Sequence, residues 1–228
     1  MKQLGLPISL DTFATFENFV PGANQVLVDC LRRMADAAGE PQVLLYGGTA
    51  RGKSHLLQAT CRRALARGQS AHYVLLGEQE PGGLPELARH ALVCLDGLET
   101  VAANGACAEG LFHLINAQRE RGHALALASR FHPQALGITL PDLISRLMWG
   151  PLFQLQRLDD AALAAFMAQR AAERGFEMPE EVVGYLLTHH ARDLRQLLEL
   201  IDRLDVETLA RQRKVTLPLL RSVLDQAD

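Results

Sequence analysis

The sequence predicts an α/β core built on a five-stranded parallel sheet, followed by a small all-helical domain. Three observations carry that expectation. Up to about residue 156, short apolar runs alternate with helix-length segments five times, the pattern left by parallel strands joined through crossover helices. Beyond residue 157 the apolar residues recur at helical spacing only. Between the first strand-like run and the next helix lies a loop rich in glycine, Gly47-Gly48-Thr49-Ala50-Arg51-Gly52-Lys53-Ser54.

Taken in order, residues 1–12 carry little local propensity and read as an extended arm. Within it, Gln3-Leu4-Gly5-Leu6-Pro7-Ile8 sets one polar side chain ahead of spaced aliphatics. Such a string can hook one polar group and press apolar side chains into a partner's groove; it also suits a plain solvated terminus. Phe13, Phe16 and Phe19 fall at i, i+3 and i+6 before Val20-Pro21-Gly22. They read as core packing, or as the apolar wall an adenine needs just ahead of the glycine loop. A helix is expected over 23–38, with Leu27, Cys30, Leu31 and Met34 on one face, then a strand at 43–46.

Gly68 ends the next helix as a C-cap. Residues 71–76 read as a buried strand, 84–90 as a short helix, and 91–95 as a strand closing on Asp96. A helix over 105–121 carries Leu111, Leu114, Ile115 and Gln118 on one stripe. A buried strand at 124–128, a short helix at 140–148 and a last strand at 151–155 complete the alternation. At Leu158 the pattern changes. Asp159 is placed to cap a helix running to Arg174 and stopped by Gly175. Pro179-Glu180-Glu181 opens another, with more at about 193–212 and 217–226. The expected organisation is an arm over 1–12, a nucleotide-binding α/β domain over 13–156 and a helical lid over 157–228, with the nucleotide between the lobes.

The chemistry sits in the glycine loop, which fits GxxxxGK[ST] at every fixed position. Apolar Val43-Leu44-Leu45-Tyr46 precedes it and helix-forming Leu56-Leu57-Gln58-Ala59 follows, the context that makes the string a phosphate site. Glycines let backbone amides turn toward anionic oxygens, and the helix start adds the positive end of its dipole. Lys53 is then the residue that reaches the β- and γ-phosphates, and the Ser54 hydroxyl the one that ligates Mg²⁺. Asp96, ending an apolar strand about 40 residues on, is the matching carboxylate on the metal side. Gly97 follows it, where an ATPase places a second acid to orient water, and Glu99 lies two residues further on.

Composition narrows the classes. Apolar residues make up 48% and charged ones 21%, with a net charge of −3, so no overall basic field draws the chain to nucleic acid. Cys30, Cys61, Cys94 and Cys107 are far apart with no CxxC pairing, which favours reduced thiols over a disulfide frame or zinc site. Residues 1–7 lack the apolar stretch of a signal peptide, and no apolar run approaches 18 residues. A cytoplasmic protein without membrane contact is expected.

Several stretches resemble the DnaA-related branch of the AAA+ family, and over nearly the full length its regulatory inactivators. Phe16-Glu17-Asn18-Phe19-Val20-Pro21-Gly22 is similar to the segment that opens the nucleotide domain. Gly47 to Ser54 and Leu92 to Asp96 resemble Walker A and Walker B, and the span from Leu140 to Gly150, with Ser145-Arg146-Leu147-Met148-Trp149-Gly150, resembles the arginine-finger box. Residues 175–180 and Arg192-Asp193-Leu194 resemble the lid with its sensor II arginine. The initiator carries a DNA-binding domain after the lid, whereas this sequence stops at Asp228.

The resemblance implies a nucleotide site of Gly47, Gly48, Thr49, Ala50, Arg51, Gly52, Lys53, Ser54, His55, Phe19, Val20 and Arg192, holding ADP or ATP, with Ser54 and Asp96 on Mg²⁺. It implies Arg146 as a finger acting on ATP bound to DnaA, the ADP of this chain being held rather than turned over. It also implies Gln3, Leu4, Leu6, Pro7 and Ile8 as a peptide for the β sliding clamp, DNA being met only through the clamp, and it allows a homo-oligomer. Gly97 puts intrinsic ATPase in doubt, and Arg130 stands where the initiator's sensor I acid falls, with Ser129 the nearest polar candidate. The competing reading is a stand-alone P-loop ATPase of the helicase-loader type, which has no need of the clamp peptide.

Overall fold

The structure, a computed structural model, describes residues 10, 14–189, 193–211 and 214–225. A 3-10 turn, Gly22–Asn24, leads into α1 (Gln25–Ala35). The chain continues through β1 (Gln42–Tyr46), α2 (Lys53–Ala66), β2 (Ala71–Leu75), β3 (Leu92–Asp96), α3 (Gly105–Glu120), β4 (Ala124–Ser129), α4 (Pro141–Leu147) and β5 (Leu152–Gln154). Four helices follow: α5 (Asp160–Glu173), α6 (Glu180–His189), α7 (Leu194–Arg211) and α8 (Leu217–Asp225). The helix expected over 84–90 is instead a pair of 3-10 turns, Pro81–Gly83 and Pro85–Arg89. Two prolines without N–H groups and two adjacent glycines leave too little to propagate an α-helix there.

All five strands pair in parallel, in the order β2-β3-β4-β1-β5. Strand alternation divides the core into two layers. Val43, Leu45, Leu92, Cys94, Ala126 and Ala128 pack with Leu27, Leu31, Leu56 and Leu57 of α1 and α2. Leu44, Val93, Leu95, Leu125 and Leu127 pack with Leu111, Leu114, Leu143 and Leu147 of α3 and α4. A strand buried on both faces reads as a continuous apolar run, as these do.

Two compact units result. Among the described residues, one holds Asn24–Gln156 together with those up to Phe19; the other holds those from Arg157 onward together with Val20–Ala23. A single cut near residue 156 therefore misses a four-residue segment. Val20 packs on the helical core of Leu163, Met167, Val182, Ile201 and Leu220, and a Cβ at Gly22 would stand 3.1 Å from Leu158 Cδ2. That core is opened by the expected cap, Asp159 Oδ1 accepting from Ala162 N at 2.8 Å, and α5 closes at Gly175, whose φ is 83°.

Within the first unit, β1 lies between β4 and β5. From β1 the chain crosses to β2 at the far edge, returns through β3 and β4, and then places β5 on the other side of β1. Open α/β sheets offer a ligand crevice at the carboxyl ends of the strands where the winding reverses. The glycine loop leaves β1 at that point.

Candidate functional site

The loop from Gly47 to Gly52 is pinned to strands on both sides. Gly47 N donates to Ser129 O of β4 at 3.1 Å, and Arg51 Nη1 donates to Leu155 O beyond β5 at 2.9 Å. Between these anchors, Ala50 (φ 54°) and Gly52 (φ 86°) are left-handed. Residues of alternating hand turn successive amides to the inside of a curve, the concavity that binds anions. Thr49 is exposed at the crest and Gly48 lies under the Arg51 guanidinium. Ala50 is strained for a residue with a side chain, and such strain clusters where a loop clamps a ligand.

Lys53 opens α2 and is 8% exposed. Its ammonium donates to Gly47 O and Gly48 O, each at 2.7 Å, which sets the charge across the loop. Burial lowers its pKa from the ordinary value; Asp96 and Glu99 pull the other way, while Arg130 and Arg51 add to the fall. Five charged side chains thus converge on the carboxyl ends of β1, β3 and β4. An ammonium held by neutral carbonyls in a curled loop fits a phosphate, whose charge would offset the burial.

Asp96 ends β3 and is 5% exposed. Its Oδ2 accepts from Tyr73 Oη of β2 at 3.0 Å. Burial, then the Asp96 charge, then this hydrogen bond raise the tyrosine pKa, so the phenol stays protonated; Gln58 and Ser54 act on it in the opposite sense. Gly97 is left-handed, φ 82°, at the start of the 3-10 turn Leu98–Ala103. Glu99 does not replace an acid at 97: its Oε2 accepts from Arg130 N at 3.1 Å and so holds the end of β4. Ser129 is fully buried, and its Oγ accepts from Phe131 N at 3.2 Å.

Phe19 and His55 meet over the loop. Their rings are 5.4 Å apart, His55 Nε2 contacts Thr15 O at 2.7 Å, and a Cβ on Gly52 would strike Phe19 Cε2 at 2.7 Å. Glycine at 52 is required twice, by its left-handed φ and by this approach. Val20, the next residue, belongs to the helical unit. Arg192 lies outside the described residues, as do Phe13 and the arm residues Gln3, Leu4, Leu6, Pro7 and Ile8.

Arg146 is built into a different corner. The last carbonyls of α4, from Arg146 and Leu147, accept from Gln42 Nε2 at 2.8 and 3.3 Å. Gln42 begins β1, whereas the glycine loop follows its other end, roughly 13 Å away at 3.3 Å per residue. Arg146 Nε donates to Asn116 Oδ1 of α3 at 3.1 Å. Its guanidinium lies 3.9 Å from the Trp149 ring centroid, and Arg119 stands at the same distance from that ring. Among the described residues no ion pair engages Arg146, Asp142 included. Gly150 is forced by close approach, since a Cβ there would fall 2.0 Å from Gln42 O.

Sequence reasoning missed Tyr73, Asn116 and Arg119. A hydroxyl in the buried run at 71–76 was the only sign of the first. For the other two no sequence signal existed, because α3 meets α4 only in the fold.

Strand, curled loop, helix N-terminus, buried lysine and strand-end carboxylate together define a P-loop nucleotide-binding protein. Residues 10–80 match the bacterial DnaA ATPase domain, and residues 159–224 match the family described as Hda, lid domain. An uncharacterized protein of Haemophilus influenzae is 36% identical, over 98% of this chain and 99% of its own length. Domain III of the Thermotoga maritima replication initiation protein DnaA superposes with a TM-score of 0.83 at 23% identity, covering 95% of this chain and 98% of that one. A replication initiator DnaA bound to AMPPCP and single-stranded DNA gives 0.77 at 25% identity, over 90% and 69%. The chain belongs to the Hda/DnaA-related AAA+ family.

Proposed function

We propose that the chain is a nucleotide-binding regulator that makes DnaA hydrolyse its ATP, and so inactivates the initiator, while docked on the DNA-loaded β sliding clamp in the cytoplasm. Its own site holds ADP, with Gly47 to His55 around the phosphates and Phe19 beside the loop. Ser54 and Asp96 are the residues that would hold Mg²⁺, which would neutralise phosphate charge when bound. Lys53 supplies the fixed cation on the protein side. Gly97 leaves no acid beside Asp96 to orient water, and its left-handed backbone disfavours one, which supports a nucleotide that is held rather than turned over.

The observation that carries the reading is the setting of Arg146. A guanidinium fixed by an amide oxygen and an indole face, with no carboxylate partner among the described residues, keeps its charge available. It stands at the opposite end of β1 from this chain's own loop, so the phosphates it can serve belong to another protein. A planar cation meeting the charge that develops on equatorial phosphoryl oxygens accelerates transfer by about 10³- to 10⁵-fold. Gln3, Leu4, Leu6, Pro7 and Ile8 supply the clamp contact that brings the two proteins together.

The test is DnaA ATP hydrolysis reconstituted with DNA-loaded clamp. Arg146→Ala is expected to lose stimulation by about 10²-fold or more while ADP binding and clamp capture persist. Stimulation within a few-fold of the parent would overturn the reading. Replacing Gln3, Leu4 and Leu6 by alanine is expected to abolish clamp capture without lowering thermal stability.

A further inference from the structure

The geometry points to Tyr73 as a positioning residue that holds Asp96 and thereby couples nucleotide binding to Mg²⁺; the inference rests on the nucleotide-site reading above. Tyr73 Oη donates its one proton to Asp96 Oδ2 at 3.0 Å, and both groups are buried, at 8% and 5% exposure. The phenol, on β2, thus reaches the carboxylate that ends the neighbouring strand β3.

The chemistry follows from counting donors and acceptors. A phenol has one proton and can accept in return, whereas an ionised carboxylate only accepts. The Tyr73 proton therefore goes to Asp96 Oδ2. On the carboxylate, Oδ2 is held by the phenol, which leaves Oδ1 as the oxygen that would serve a hard cation. Such outer hydrogen bonds govern how well metal-side groups perform, and a hydrogen bond to a charged group in a dry site is stronger than a neutral one.

The experiment measures ADP affinity by calorimetry with Mg²⁺ and with EDTA, for the parent chain, Tyr73→Phe, Asp96→Asn and the double variant. Phenylalanine keeps the ring packing and removes only the hydroxyl. In the parent, Mg²⁺ is expected to tighten ADP binding. In Tyr73→Phe about tenfold of that gain is lost, the scale of one hydrogen bond to a charged group, while the EDTA affinity stays within twofold and so reports an intact fold. In the Asp96→Asn background, Tyr73→Phe is expected to add less than twofold.

A Mg²⁺ gain in Tyr73→Phe equal to the parent's within twofold would overturn the positioning role and leave the nucleotide site standing. The same holds if the parent shows no Mg²⁺ gain, or if the variant's EDTA affinity falls as far as its Mg²⁺ affinity. A parent chain that binds no ADP under either condition would sink both readings together.

Discussion

Lys53 and Arg146 are cations at opposite ends of one strand, and the protein holds them in contrasting ways. At the carboxyl end of β1, Lys53 bridges two loop carbonyls and feels Asp96, Glu99, Arg130 and Arg51. Its charge belongs to a local balance that a phosphate completes. At the amino end, Arg146 is steered by Asn116 and Trp149, which fix its plane and leave its charge alone. The difference is one of setting: Lys53 is embedded among charges, whereas Arg146 is oriented by an amide oxygen and an indole face, as the proposed action on a partner's phosphates requires.

The contrast breaks most sharply at Arg146. Arg146→Lys keeps the charge but gives up the planar fork, and is expected to lose about 10²-fold of the stimulation of DnaA ATP hydrolysis. ADP affinity in the same variant should stay within twofold. Near-parental stimulation by lysine would mean that charge alone suffices and that the stack on Trp149 is incidental.

Lys53→Ala probes the other end. Removing a buried charge that faces phosphate costs at least about 2 kcal/mol, or roughly 30-fold in ADP affinity, read by calorimetry. An affinity unchanged by Lys53→Ala would remove the lysine from the site.

Gly97→Glu sharpens the comparison within the carboxyl end by restoring the acid that the loop lacks. The left-handed backbone there is expected to cost roughly 1–2 kcal/mol of stability in denaturant titrations. Steady ATP turnover by this variant well above the parent's would show that the acid absent at 97 limits hydrolysis, and turnover equal to the parent's would show that it does not.

The smallest effect concerns pH. The rings of His72 and His90 stack at 5.0 Å and 12°. Burial first, then Arg89, lowers the His72 pKa below 6.5; burial, His72 and Arg89 lower that of His90. At these two groups the unfolded chain therefore binds more protons than the folded one below pH 6.5, and the stability they contribute is lost as pH drops. His90→Gln is expected to flatten that acid slope, measured as denaturation midpoint against pH. An unchanged slope would place the acid sensitivity elsewhere.

Sequence by itself determined the phosphate loop, the strand ending in Asp96, the five-stranded parallel sheet, and the change to helices after Leu158. These are local facts. Strand runs, caps such as Asp159 and the glycine loop write their conformation in consecutive residues, and a sheet covered on both faces demands unbroken apolar runs. The left-handed backbone at Ala50, by contrast, gives no sign in the residue type.

Tertiary structure alone decided the partners of the functional groups. Tyr73 reaches Asp96 because β2 pairs with β3 in one register, across 23 residues of chain. Phe19 presses on Gly52 because the segment before α1 crosses the loop. Asn116 and Arg119 reach Arg146 and Trp149 because α3 and α4 share one face of the sheet. Val20 joins a core made by residues from Leu163 onward, which no composition shift near residue 20 announces. Propensity and periodicity act over a few residues, whereas these contacts are chosen by how layers pack, so only the folded chain could assign them.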